Sequence, residues 1–88
     1  MPTKYTIKFN RRYLKDLEKI PSKNREQIRK DILSLADDPR PNNCKKLKGC
    51  EEDTYRIRCG NYRVVYSIRD DILLVFIVEV GHRKDVYR

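Results

Sequence analysis

Residues 54–69 read TYRIRCGNYRVVYSIR, two runs that alternate apolar with basic or small polar side chains on either side of Gly60-Asn61. A glycine followed by asparagine between two such runs is a hairpin signal, because glycine reaches the positive φ of a type II′ turn without strain. With those two residues as the loop, Arg58 lies opposite Arg63 and Ile57 opposite Val64. The pleat has a period of two, so Arg56, Arg58 and Arg63 share one face, and Tyr55, Ile57, Tyr62, Val64 and Tyr66 share the other. Like charges directly across a strand pair repel and cost stability. A sequence that sets them there is holding positive charge for an anionic partner.

Composition points the same way. The 88 residues make a single domain, 1–88, with room for one modest core. Lys and Arg number 21 against 13 Asp and Glu, a net charge of +8 that favours nucleic acid or an acidic protein as partner. Cys44, Cys50 and Cys59 show neither C-x-x-C nor zinc-finger spacing, so the expectation is reduced thiols, no metal and no cofactor. Cys59 belongs on the core side of its strand and the other two in a loop. No stretch reads as a signal peptide or a membrane span, and the longest apolar run, Ile72–Val78, has the length of a strand. A cytoplasmic protein with no membrane partner is expected.

Upstream, Lys4–Phe9 alternates with Tyr5, Ile7 and Phe9 inward, a half-buried strand. Asn10 suits the N-cap of a helix whose apolar positions Tyr13, Leu14, Leu17 and Ile20 recur at three- and four-residue spacing. Pro21 stops it. Ser22 can cap a second helix carrying Ile28, Ile32, Leu35 and Ala36, which Asp37-Asp38-Pro39 ends. The outward faces of this helical hairpin mix both charges and read as solvated. The segment from Arg40 to Asp53 is a polar loop in which Leu47 can anchor to the core while Lys45, Lys46 and Lys48 reach phosphates. The plain alternative for these lysines is solvation.

Downstream, a tight turn at Asp70-Asp71 leads into a strand, Ile72–Val80, that is apolar on both faces and therefore belongs inside the sheet. A symmetric hairpin register sets Leu73, Val75 and Ile77 against the helices. Leu74, Phe76 and Val78 then join Val65 and Arg63 on the open face, an apolar strip that a partner or the C-terminal segment should cover. The chain closes with GHRKDVYR, residues 81–88, whose His82, Arg83 and Tyr87 are expected beside the arginines. Taken alone, His82 reads as an ordinary surface imidazole and Tyr87 as a packing residue.

The ordered set YRIR, YRVVY, VGHR and the terminal VY resembles the RelE family of toxin–antitoxin toxins, within the RelE/ParE superfamily, over essentially the whole chain. The resemblance implies an α+β, RelE-like (microbial RNase-like) fold: an N-terminal strand, a helical hairpin, then a three-strand antiparallel meander with the helices on one face. It implies a ribosome-dependent mRNA endoribonuclease silenced by a cognate RelB-like antitoxin, meeting operator DNA only through that antitoxin. The residues matching the family's active ones are Arg56, Arg58, Arg63, Arg83 and Tyr87.

The residue types suit metal-free attack by the 2′-hydroxyl on the adjacent phosphorus, which needs charge stabilisation, a proton acceptor and a proton donor. Arginine offers planar bidentate contacts to phosphate oxygens, and tyrosine can stack on a base. Some relatives carry lysines where this chain has Arg56 and Arg58. A guanidinium stays protonated, so the acceptor is sought in His82, whose residue type titrates near neutrality, or in Tyr87. The antitoxin is expected on Val65, Leu74, Phe76 and Val78. Two other readings stay open: a ParE-like toxin that inhibits DNA gyrase, and a non-catalytic partner in antitoxin autoregulation.

Overall fold

The computed structural model describes residues 4–49 and 53–82. In chain order the elements are β1 (Thr6–Phe9), α1 (Arg11–Glu18), α2 (Ser22–Ser34), β2 (Lys45–Lys46), β3 (Thr54–Cys59), β4 (Tyr62–Arg69) and β5 (Leu74–His82). They form one sheet of order β1-β5-β4-β3-β2 with both helices on one face. β1 runs parallel to β5, and the other pairs are antiparallel. The architecture is the α+β one expected, and β5 is an interior strand. The meander gains a strand the sequence did not announce, β2 at the far edge.

The β3–β4 hairpin takes the predicted register, with Arg58 opposite Arg63 and Ile57 opposite Val64. Gly60 has φ +64, and Asn61 is not among the residues with positive φ, as a II′ turn requires. Tyr55, Ile57, Cys59, Val64, Tyr66 and Ile68 all lie buried toward the helices. They meet Tyr13 and Leu17 of α1, Ile20 just beyond it, and Ile28, Ile32 and Leu35 from α2 and its cap. Tyr66 is fully buried, so its hydroxyl needs a partner, which it finds by donating to the Pro39 carbonyl at 2.8 Å.

Several local expectations are corrected. Asn10 does cap α1, its Oδ1 accepting from the Tyr13 amide at 3.0 Å, but Ser22 is already inside α2, whose cap position is Pro21 with no side-chain bond. Phe9 is 46% exposed and Leu14 54%, because β1 ends at the sheet edge and α1 turns only Tyr13 and Leu17 inward. Phe9 instead stacks on Tyr13 with centroids 4.8 Å apart. The turn after β4 is four residues, Asp70–Leu73, rather than two, so Leu73 leaves the strand with φ 51 and Ile72 is exposed. That longer loop shifts the β4–β5 register by an even number, so Val75 and Ile77 still face the helices as expected.

Candidate functional site

On the open face, away from the helices, the strands bring the cations together in two cross-strand rows. One row runs Lys45, Arg56 and Val65; the next runs Arg58, Arg63 and Gly81. Neighbours in such rows have Cα atoms about 4.5–5.5 Å apart, so these positive charges repel one another across the pleat. Exposure is graded: Arg58 is exposed, Arg56 half-buried and Arg63 only 7% exposed. Arg63 lies on the open face as the hairpin register predicts, but it is shielded there. β4 is the central strand, with strands on both sides, so side chains on its open face are shielded, and Ser67 on that face is buried too.

The basic loop divides. Lys45 joins the arginine face through its pairing with Arg56, whereas Lys46 pairs with Tyr55 on the helix face and forms an ion pair with Asp53 at 3.3 Å. Lys48 stays exposed beyond the strand, and Leu47 is half-buried. A two-residue strand is too short to show alternation, so nothing in the sequence marks Lys45 as the member that reaches the site.

A β-bulge decides what happens at the end of β5. Up to Ile77, paired with Tyr66, burial alternates regularly; then Val78 is extra, and Glu79 pairs with Val65, Val80 with Val64, Gly81 with Arg63 and His82 with Tyr62. Regular pairing of this sequence would set Glu79 opposite Val64, a carboxylate in the core, and Val80 opposite Arg63. An uncompensated buried charge costs several kcal/mol or more, so the bulge is the cheaper solution. It buries Val80 and leaves Glu79 to pair with Arg12 of α1 at 3.2 Å. The same slip carries His82 to the helix face, where its ring meets Tyr62 edge to face at 5.7 Å. The expectation that His82 stands beside the arginines is therefore corrected: the sheet lies between them. Arg83 and Tyr87, as well as Cys50, lie outside the described residues.

Beside the arginines, Val65, Leu74, Phe76 and Val78 are all half-buried. Leu74 and Phe76 pair with Thr6 and Lys8 of β1, and Arg69 lies across from Leu74, so the apolar strip is bordered by exposed Lys8 and Arg69. The parallel β1–β5 pairing joins segments far apart in sequence, which is why Lys8 carried no signal.

At the opposite end of the sheet from Gly60, Arg40 ties the frame together, a role the sequence reading missed. Its guanidinium donates to both carboxylate oxygens of Asp70, at 3.3 and 2.8 Å, and to the Tyr55 hydroxyl at 3.1 Å, while sitting 5.3 Å from the Tyr55 ring centroid. Tyr5 donates its hydroxyl to the same carboxylate at 2.6 Å. Hydrogen bonds from Arg40, then from Tyr5, hold the Asp70 carboxyl below the usual range, and the Tyr5 phenol is raised by its bond to Asp70. Among the described residues no cluster of His, Cys, Asp or Glu side chains is arranged to hold a metal ion.

A family model described as the ParE toxin of the type II toxin–antitoxin system parDE matches residues 7–87, which assigns this sheet, helical hairpin and basic open face to the toxin class of type II systems. Within that class the similar proteins are RelE toxins. The mRNA interferase toxin RelE of Escherichia coli (strain K12) is 37% identical over 82 residues, covering 91% of this chain and 84% of that one. The archaeal RelE–RelB complex from Pyrococcus horikoshii OT3 superposes with TM-score 0.81 at 27% identity, covering 91% of this chain and 96% of that one. The intact E. coli RelBE toxin–antitoxin complex gives 0.74 at 37% identity, covering 89% and 95%. The chain belongs to the RelE/ParE family of type II toxins, on the RelE side of it.

Proposed function

We propose that this chain is an endoribonuclease that cuts mRNA on the ribosome and is silenced by a RelB-like antitoxin. The observation that carries the reading is the pair of cross-strand rows holding Lys45, Arg56, Arg58 and Arg63, charge concentrated against its own repulsion on the face away from the helices. In the reaction the 2′-oxygen forms a bond to phosphorus and the bond from phosphorus to the 5′-oxygen breaks. One proton leaves the 2′-hydroxyl and one reaches the departing 5′-oxygen. Arg56, Arg58 and Arg63 stabilise the charge of the phosphorane and cannot take the proton. With the His82 ring across the sheet, Tyr87 is the acceptor this reading favours, assisted by Arg83 at the phosphate. So sparse a proton-transfer set depends on the ribosome to orient the 2′-hydroxyl, and naked RNA should be cut little.

The antitoxin reading rests on the strip of Val65, Leu74, Phe76 and Val78 beside the cations. A segment combining apolar anchors with Asp or Glu would bury the first and neutralise the second. A toxin acting on ribosomes works in the cytoplasm, and no described helix is long and apolar enough to cross a membrane. Primer extension on mRNA from cells expressing the chain without antitoxin tests the function: cleavage within translated codons is expected. Intact transcripts together with trapped gyrase–DNA cleavage complexes would move the assignment to gyrase inhibition.

A further inference from the structure

A concavity of about 360 Å³ opens at the Gly60 end of the sheet, on the helix side, between α1 and the ends of β4 and β5. That size falls within the range of small-ligand sites, roughly 300–1,000 Å³. Its wall carries the Tyr62 and His82 rings, set edge to face with an interplanar angle of 75° and both half-exposed. α1 contributes Arg12, Asp16 and Lys19. Arg12 is engaged by Glu79 at 3.2 Å, which nearly cancels that pair's charge, and Lys19 is exposed.

The cavity adjoins the arginine face. Tyr62 is covalently next to Arg63, and Gly81, which also lines the cavity, is the cross-strand partner of Arg63. β1 pairs with β5 only as far as Ile77, so among the described residues no strand flanks the outer side of β5 from Val78 onward. That edge is a short path from one face to the other for an extended chain.

We infer that this cavity is a nucleobase subsite for the RNA running off the arginine face. An unpaired base stacks on the Tyr62 ring and meets the nearly perpendicular His82 ring with its edge, its phosphate meets Lys19, and Asp16 accepts from an exocyclic amino group. An acidic peptide fits less well, since it would bring a carboxylate beside Asp16 and no flat base for the aromatic wall. A base presents an uncharged π-face and a donor edge, and the cavity offers the complement of both. This subsite rests on the RNA-cleaving reading and extends it from the scissile phosphate to a flanking nucleotide.

The test is fluorescence anisotropy of the intact chain with labelled 2′-O-methyl RNA dimers and tetramers, which cannot be cut. The parent is expected to bind the tetramer more tightly than the dimer. Tyr62→Leu and Lys19→Ala should each remove about fivefold or more of that gain, the scale of losing one stacked base or its phosphate contact, while dimer affinity changes less than about twofold. Tyr62→Phe should keep the gain. Lys19 is exposed, so its substitution reports on binding even if thermal melts show Tyr62→Leu to be destabilised. Equal parent affinity for dimer and tetramer overturns the subsite and leaves the arginine-face reading standing, whereas no binding of either length defeats both. Tetramer binding unchanged in Lys19→Ala and Tyr62→Leu, with antitoxin affinity lost, assigns the cavity to the antitoxin and overturns the inference.

Discussion

Gly60 and the Arg58–Arg63 pair show how single residues divide the work of folding from that of function. At φ +64, with no atom within 4 Å of where a Cβ would stand, Gly60 is needed for its backbone alone. Gly60→Ala should therefore cost about 1 kcal/mol in a urea melt through the left-handed conformation, without any clash, and Gly60→Asn less. Arg58 and Arg63 repel across the hairpin but differ in burial. Arg58→Ala should leave stability in a denaturant melt unchanged or slightly raised, by no more than about 0.5 kcal/mol, while mRNA cleavage falls. Arg63→Ala should abolish cleavage and also lower stability by about 1–2 kcal/mol, since the buried guanidinium and its stem lose their packing. Equal melting of both variants would show that the burial of Arg63 contributes nothing to stability.

At the scale of the element, the β5 bulge reconciles a sequence whose apolar alternation breaks at Val78-Glu79. Deleting Val78 leaves every observed pair on either side in register, so that variant should fold, with cooperative melting near the parent's. Deleting Val80 instead brings either Glu79 or Gly81 opposite Val64, and the core loses a valine that is 2% exposed. A loss of about 2–4 kcal/mol is expected, large for so small a domain. Circular dichroism melts of the two deletions check this. If both behave alike, the bulge is not what sets the faces of β5.

Across the whole molecule, charge governs both stability and encounter. The Asp70 carboxyl, held low first by Arg40 and then by Tyr5, binds a proton less readily folded than unfolded. Its stabilising contribution is thus complete above the unfolded carboxylate value, near 3.9, and is lost as pH falls through the lower folded value. Below about pH 4 the parent's midpoint should drop more steeply than that of Asp70→Asn. Parallel curves would mean that the bond survives unfolding or contributes nothing. At neutral pH the net charge of +8 should steer an acidic antitoxin, so its association rate should fall as salt rises. Phe76→Ala should leave that rate nearly unchanged and raise dissociation roughly tenfold, the scale of one interface anchor. Stopped-flow kinetics beside thermal melts separates that outcome from simple core damage, and a folded variant that binds like the parent removes this strip as the docking surface.

What could be read from the sequence was local. The Gly60-Asn61 turn fixes the β3–β4 register, and with it the shared face of Arg56, Arg58 and Arg63, because a two-residue hairpin leaves no freedom of alignment. The capped α1 and the apolar interior strand followed from periodicity in the same way. Where a long-range balance decided, the sequence was silent. Regular alternation carries His82 to the arginines, but only the packed core raises the cost of burying Glu79, and the slip that avoids it turns His82 away. Lys45 reaches the site through a strand too short to have a pattern, and Lys8 borders the apolar strip through a parallel pairing between distant segments. The burial of Arg63 follows from the central place of β4, a property of the assembled sheet rather than of any stretch of chain. Alternation assigns faces within a strand, whereas bulges, strand order and shielding depend on the energy of the whole packed sheet.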